Sequence, residues 1–406
     1  MAEPNKQKSL FVMVGDLSAD KHTAHVIANV KKALPDLKIW GVGGPSLAAQ
    51  GMETLYDCQT FSVIGIFGTI KYLPYIAKVR QTVLDEIEKR KPEAIFFADF
   101  GAVNLRLCKE LRKRYPDLPI IYFISPQVWG SRPWRIKTVD KTVTKMLVIY
   151  PFEEALYQSR GVDAMFVGNP LTTDLPKPES LANRKEFCQK HGLNEDEPII
   201  GIFPGSRKQE IAAHMPVLAD AMKWLLAERP KSQFVIAAAK PMIKDRINQY
   251  IDKYKLNDVI GNRLTFAEPG ENYDLMANAD LLWAKSGTTT LEAALLGKPM
   301  IIYYRGDWPS YLILLAFKTI KRIGWPNMLA GYGLVPELIN LDCRPEKLVK
   351  YTLDWLDVPA YREKLSKELL TLRSELGRGN FAENATNQIL SILKLSSNAA
   401  LGGARQ

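Results

Sequence analysis

Short apolar runs alternate with helix-length segments along this 406-residue chain, and they do so twice, on either side of a proline-bearing stretch. In the first half the runs are Leu10–Val14, Leu37–Val42, Ala94–Ala98, Ile120–Ile124, Met146–Ile149 and Ala164–Phe166. In the second they are Ile199–Phe203, Gln233–Ala238, Leu264–Phe266, Leu281–Ala284 and Met300–Tyr304. Strands that are apolar on both faces must be covered on both sides, so each half predicts a parallel sheet flanked by helices. A chain of this length also exceeds what one hydrophobic core serves. The expectation is an α/β protein of two Rossmann-like domains with parallel sheets facing a cleft. The N-terminal domain would span 9–172, a linker 173–186 and the C-terminal domain 187–345. Helices over 346–395 would pack back toward the N-terminal domain.

The formal charge of +10 invites anionic partners, namely nucleic acid, a phospholipid surface or phosphorylated ligands. No zinc-finger spacing, ribonucleoprotein signature or dominant basic tract is present, so nucleic acid is not expected as a partner. No run reaches the roughly 18 consecutive apolar residues that cross a bilayer. Two greasy segments, Phe61–Val79 and Trp308–Phe317, read either as interfacial or pocket-lining surface or as ordinary core. The four cysteines are scattered and no secretory signal opens the chain, which points to a reducing cytoplasm. Of the four histidines only His22 and His25 sit close together, and no carboxylate or cysteine cluster completes a ligand set. No metal or other cofactor is expected. Oligomerisation is left open.

Chemistry concentrates at strand ends. Ile199–Phe203 runs into Pro204-Gly205-Ser206-Arg207, and Leu281–Ala284 runs into Lys285-Ser286-Gly287-Thr288, each followed by a helix. Such turns expose helix N-terminal amides, and glycine lets a ligand approach the backbone. A single glycine turn is more often mere packing. Two in one domain suit a nucleotide diphosphate, with Gly205, Ser206, Arg207, Ser286, Gly287 and Thr288 at the phosphates and Glu292 accepting from ribose hydroxyls. Arg207 fits phosphate oxygens bidentately; its bland alternative is a surface ion pair with Glu210. In the first half, Asp99 closes the run Ala94–Ala98. A carboxylate there borders the ligand crevice and could act as a general base, or it could simply cap the next helix. The segment Ser125-Pro126-Gln127-Val128-Trp129, with Arg132, Arg135 and Lys137 following, offers polar groups and an indole for a sugar phosphate, or packs as an aromatic loop. Asn327 could bind a sugar or its own backbone.

As a set these residues resemble the lipid A disaccharide synthases, inverting glycosyltransferases of the two-domain GT-B class. The resemblance runs from about Phe11 to Leu393. The family's strand-end aspartate falls on Asp99, and its serine–proline–x–valine–tryptophan segment on Ser125 to Trp129. Its Pro-Gly-Ser-Arg falls on Pro204 to Arg207, and its Ser-Gly-Thr…Leu-Glu on Ser286 to Glu292. Its Tyr-Arg falls on Tyr304-Arg305, and its Pro-Asn-x-Leu-Ala-Gly on Pro326 to Gly331. The resemblance implies Asp99 and Arg207 as catalytic residues and Ser18, Ser125, Gln127, Trp129, Tyr304, Arg305 and Asn327 as substrate-binding residues. The implied substrates are acylated UDP-glucosamine and acylated glucosamine phosphate, met at an anionic inner-membrane surface. Three family positions differ on the acceptor side: Gly15-Asp16-Leu17-Ser18-Ala19-Asp20 shortens an acid and lacks a glycine, Ala102 replaces an acid, and Asn169 replaces a histidine. These changes motivate two alternatives, another GT-B UDP-sugar enzyme (a lipid-linked sugar transferase or an epimerase) and a degenerate membrane-associated binding protein.

Overall fold

A computed structural model describes residues 7–62, 69–129, 133–306, 322–377 and 379–402. The chain divides into two compact units, one of residues 1–173 and 376–406, the other of residues 174–375.

The first unit is built on a seven-stranded, wholly parallel sheet. Its strands are β1 (Ser9–Val14), β2 (Lys38–Gly43), β3 (Glu53–Asp57), β4 (Ala94–Ala98), β5 (Ile120–Phe123), β6 (Lys145–Val148) and β7 (Ala164–Phe166). Their spatial order is β3-β2-β1-β4-β5-β6-β7. The winding therefore reverses between β1 and β4, whose neighbouring carboxyl ends are left facing an open crevice. Every residue of β1 and β4 is buried, as expected of central strands covered on both faces. The polar edge strand β3 carries no such apolar run.

Local chemistry starts the first helix. Asp16 caps Leu17–Ala33 by accepting from the Ala19 amide at 2.8 Å, and the buried stripe Thr23, Val26, Ile27, Val30 faces the sheet. Asp20, on the same helix, is fully buried and accepts from the amides of Gly44 (2.7 Å), Ser46 (2.8 Å) and Leu47 (3.3 Å). Its carboxylate thus pins the turn after β2 to the helix after β1. The final helix, Phe381–Gly402, closes this unit: Phe381, Ala385, Ile389 and Leu393 enter its core and Thr386 donates to the Val26 carbonyl. His22 and His25 both set their rings edge-on against Phe381, which accounts for that pair as packing.

The second unit repeats the plan with six parallel strands. They are β8 (Ile199–Phe203), β9 (Gln233–Ala237), β10 (Leu264–Ala267), β11 (Leu281–Lys285), β12 (Met300–Tyr304) and β13 (Glu337–Ile339), in the order β10-β9-β8-β11-β12-β13. Here the reversal lies between β8 and β11. The helix after β8 begins at Lys208 and carries Pro216 within it. The C-terminal helices do not return as one block. Pro345–Asp357 and nearly all of Pro359–Leu376 belong to the second unit, burying Leu348, Trp355, Leu365 and Leu369 in its core, and only the last helix joins the first. The chain leaves the first unit after Thr173 and re-enters at Leu376, and the Asn169 amide donates to the Leu376 carbonyl at 3.0 Å, so exit and return lie side by side.

Removing the Asp20 carboxylate strands three buried or half-buried amides. Asp20→Ala should therefore lower unfolding free energy by about 3 kcal/mol, read by chemical denaturation. A loss within error would mean water replaces the carboxylate without cost.

Candidate active site

Asp99 lies immediately after β4, at the reversal of the first sheet. It and Phe100 both adopt left-handed backbone conformations, with φ of 49° and 52°. Two consecutive non-glycine residues in that region cost energy, so neighbours must hold them there. The Asp99 amide donates to Phe123 O at 3.0 Å, and the Asp99 carbonyl accepts from Tyr122 Oη (2.5 Å) and Asn104 Nδ2 (2.9 Å). Asn104 is wholly buried, and the strand-end pattern that marks Asp99 does not reveal it. The following helix starts at Gly101 with Phe100 as its cap residue and no side-chain cap bond, so Asp99 is not the helix cap. Gly101 is needed for packing: a Cβ there would come within 2.7 Å of the Pro126 side chain and 3.5 Å of the Arg135 guanidinium.

The Asp99 carboxyl is not spent on capping the helix; it accepts from the Phe100 amide and shares a hydrogen bond with the Asp16 side chain. Burial first, then the neighbouring Asp16 carboxylate, push its pKa up to about 6, against one opposing amide from Phe100. A carboxylate so poised is a competent general base near neutral pH.

Around it the expected acceptor-side residues divide. Ser18 is exposed and shares a 3.2 Å hydrogen bond with His22 Nε2. Gln127 is exposed. Ser125 Oγ and Trp129 Nε1 instead turn inward, both donating to Glu153 Oε1 at 2.7 and 2.9 Å. The sequence reading missed Glu153, because its partners lie 28 and 24 residues away. It is buried, its Oε2 lacks a hydrogen bond, and burial lifts its pKa to about 7 despite the two donors. Arg132 and most of the greasy segments fall outside the described residues. Of the first greasy segment, Phe61 packs on Phe100 with ring centroids 5.2 Å apart.

In the second unit both glycine turns line one cavity of about 140 Å³, at the reversal between β8 and β11. Gly205 and Ser206 come from the first turn and Gly287 and Thr288 from the second, with Thr289, Asn272 and Lys285 beside them. Gly205, at φ 120°, is a position glycine alone adopts readily. The amides of Ser206 and Arg207 are not vacant: both donate to Glu210 Oε2, at 2.9 and 3.2 Å. Glu210 Oε1 stands 3.0 Å from Lys285 Nζ and 3.8 Å from the Arg207 guanidinium. Burial raises the Glu210 carboxyl, but Lys285 and the two amides outweigh it and hold its pKa below the usual range. The Arg207 side chain is 75% exposed and does not line the cavity.

Other expected residues brace this unit. Ser286 Oγ donates to the Ile323 carbonyl at 2.8 Å. Glu292 accepts from the Tyr273 hydroxyl at 3.3 Å, with its pKa raised by burial. Asn327 is buried and saturated: Nδ2 donates to Val335 O and Glu337 Oε1, and Oδ1 accepts from the Val335 amide, all at 2.8 Å. In this structure Asn327 is an internal brace, not a side chain turned toward a ligand. Tyr304 is half-buried with its ring against His214, and the Arg305 side chain is exposed. His214, also missed in the sequence, is wholly buried; burial lowers its pKa and keeps it neutral. Nε2 accepts from the Arg305 amide at 3.1 Å, so Nδ1 carries the proton donated to Pro204 O at 2.8 Å. One imidazole therefore ties the Pro204–Arg207 turn to Tyr304-Arg305.

Glu153 supplies a test of this geometry. A carboxyl whose folded pKa exceeds its unfolded value stabilises the fold below the unfolded value and loses that contribution as pH rises through the folded one. The stability of Glu153→Gln relative to the unaltered chain should thus rise between about pH 4.5 and 7, followed by urea denaturation. A difference independent of pH would contradict the raised pKa.

Comparison with known proteins agrees with the geometry. The profile of the family described as Lipid-A-disaccharide synthetase matches residues 10–389. The chain is 34% identical over 373 residues to lipid-A-disaccharide synthase 1 of Legionella pneumophila (strain Paris), covering 92% of this chain and 94% of the relative. It is 34% identical over 389 residues to the lipid-A-disaccharide synthase of Syntrophus aciditrophicus (strain SB), covering 96% and 99%. Among solved structures, its fold is similar to UDP-GlcNAc 2-epimerase from Neisseria meningitidis bound to UDP-GlcNAc (TM-score 0.56, 15% identity, covering 95% and 99%). It is also similar to Anabaena HepE in complex with UDP and glucose (TM-score 0.55, 14% identity, covering 96% and 99%). The fold is of the GT-B class, and the chain belongs to the lipid-A-disaccharide synthetase family.

Proposed function

We propose that this chain transfers 2,3-diacylglucosamine from its UDP conjugate to 2,3-diacylglucosamine 1-phosphate, forming a β-1,6 disaccharide 1-phosphate and UDP. The observation that carries this reading is Asp99, a carboxylate at the strand reversal of the first unit whose pKa is raised by burial and by the adjoining Asp16 carboxyl. Asp99 takes the proton of the acceptor 6-hydroxyl as that oxygen attacks the anomeric carbon. The bond from that carbon to the diphosphate oxygen breaks in the same displacement, inverting the centre and releasing UDP. Charge gathering on the leaving diphosphate is met at the cavity of the second unit by the N-terminus of the Thr288–Leu295 helix.

The acylated substrates require meeting a membrane surface. Among the described residues no helix is long and apolar enough to cross a bilayer. A groove of about 480 Å³ in the first unit is lined by Lys109, Arg112, Lys113, Lys137 and Lys141 with two threonines and no acid. With the net charge of +10, this supports peripheral attachment to the anionic cytoplasmic face of the inner membrane.

Incubation with both acylated substrates and mass-spectrometric readout should give the tetraacyl disaccharide 1-phosphate. UDP release without it would favour another UDP-sugar enzyme. Asparagine tolerates the left-handed backbone, so Asp99→Asn should fold, bind UDP as before and lose about 10²–10⁴ in kcat. In the unaltered chain, kcat should fall as pH drops below about 6, where the base becomes protonated. Equal loss of turnover and UDP binding would make Asp99 structural. Turnover is expected without added metal, and a chelator that abolishes it would refute that expectation.

A further inference from the structure

The cavity between the two glycine turns is lined by one cationic side chain among the described residues, and it is not the arginine of the first turn. Lys285 ends β11, is 22% exposed, and directs Nζ to within 3.5 Å of the point that a Cβ on Gly287 would occupy. Glu210 reaches the same place from the helix after β8 and gathers three donors: the Ser206 amide, the Arg207 amide and the Lys285 ammonium group.

Two backbone amides and an ammonium group converging on carboxylate oxygens are the donor set that phosphate oxygens also seek. Across the cavity Gly287 begins the helix Thr288–Leu295 with no side-chain cap, so an anion there meets a second helix N-terminus. We propose that Lys285 is the side chain that binds the diphosphate of the nucleotide sugar, and that Glu210 holds the Lys285 ammonium and the two amides until the diphosphate takes them over. The proposal rests on the UDP-sugar reading above and deepens it. A diphosphate carries more negative charge than one carboxylate and spans both turns, so it outcompetes Glu210 for these donors. Glu210, on the first turn of its helix, needs only side-chain rotation to withdraw. Its return would help expel UDP after transfer. The bland alternative is a permanent ion pair that merely staples β11 to the helix.

Titrating the full-length chain with UDP and with uridine separates the two, because uridine lacks the diphosphate. Lys285→Met should weaken UDP binding by at least about tenfold and leave uridine binding unchanged. Lys285→Arg should restore part of the loss. Glu210→Gln should tighten UDP binding several-fold, because the competing charge is gone while the amides keep an acceptor. Three results would overturn the proposal: unaltered UDP binding by Lys285→Met, an equal loss of uridine binding in that variant, or weaker UDP binding by Glu210→Gln. If the unaltered chain binds neither UDP nor uridine, the nucleotide-sugar reading itself fails, a result distinct from those three.

Discussion

Where the strand order of a parallel sheet reverses, the connections on either side depart to opposite faces and leave a gap between two carboxyl ends. Both units of this protein are organised around that constraint. In the first the gap lies between β1 and β4, and Asp16 and Asp99 follow within two residues of those strands. In the second it lies between β8 and β11, and the residues past those strands form the two glycine turns. A strand-end aspartate and a glycine-lined cavity bearing Lys285 thus occupy the same topological position, used twice with different side chains.

Internal carboxylates shape the surrounding backbone. Asp20 collects three amides at the turn after β2. Glu210 collects two in the first glycine turn. Glu337 accepts from the Ile323 and Gly324 amides at 2.9 Å and from Asn327, fixing the helix Trp325–Ala330. Asp99 differs. Burial and the Asp16 charge outweigh its single amide, so it holds a proton more tightly than an ordinary aspartate.

Central strands were legible in the sequence because burial on both faces leaves nothing but apolar residues: Ala94–Ala98, Ile199–Phe203 and Met300–Tyr304 lie where their composition puts them. The edge strands β3 and β13 were not, since half-exposed edges mix charges with apolar residues. The start of the helix at Lys208 was hidden by its polar first turn and by Pro216, which reads as a helix beginning rather than an interior residue. In the candidate site, Asp99 and the two turns could be found from local pattern. Glu153, His214 and the pairing of Lys285 with Glu210 could not, because each depends on partners brought from distant sequence, such as the 91 residues between His214 and Arg305. Asn327 shows the converse, a motif residue whose polar atoms are all spent on its own unit.

The most direct measurement is a crystal structure of the protein with UDP bound in the absence of metal. The diphosphate should lie in the second unit against Gly205, Gly287, Thr288 and Lys285, with the Asp99 carboxyl of the first unit unobstructed. A diphosphate lodged away from both glycine turns, or one held there only through a metal ion, would contradict the mechanism.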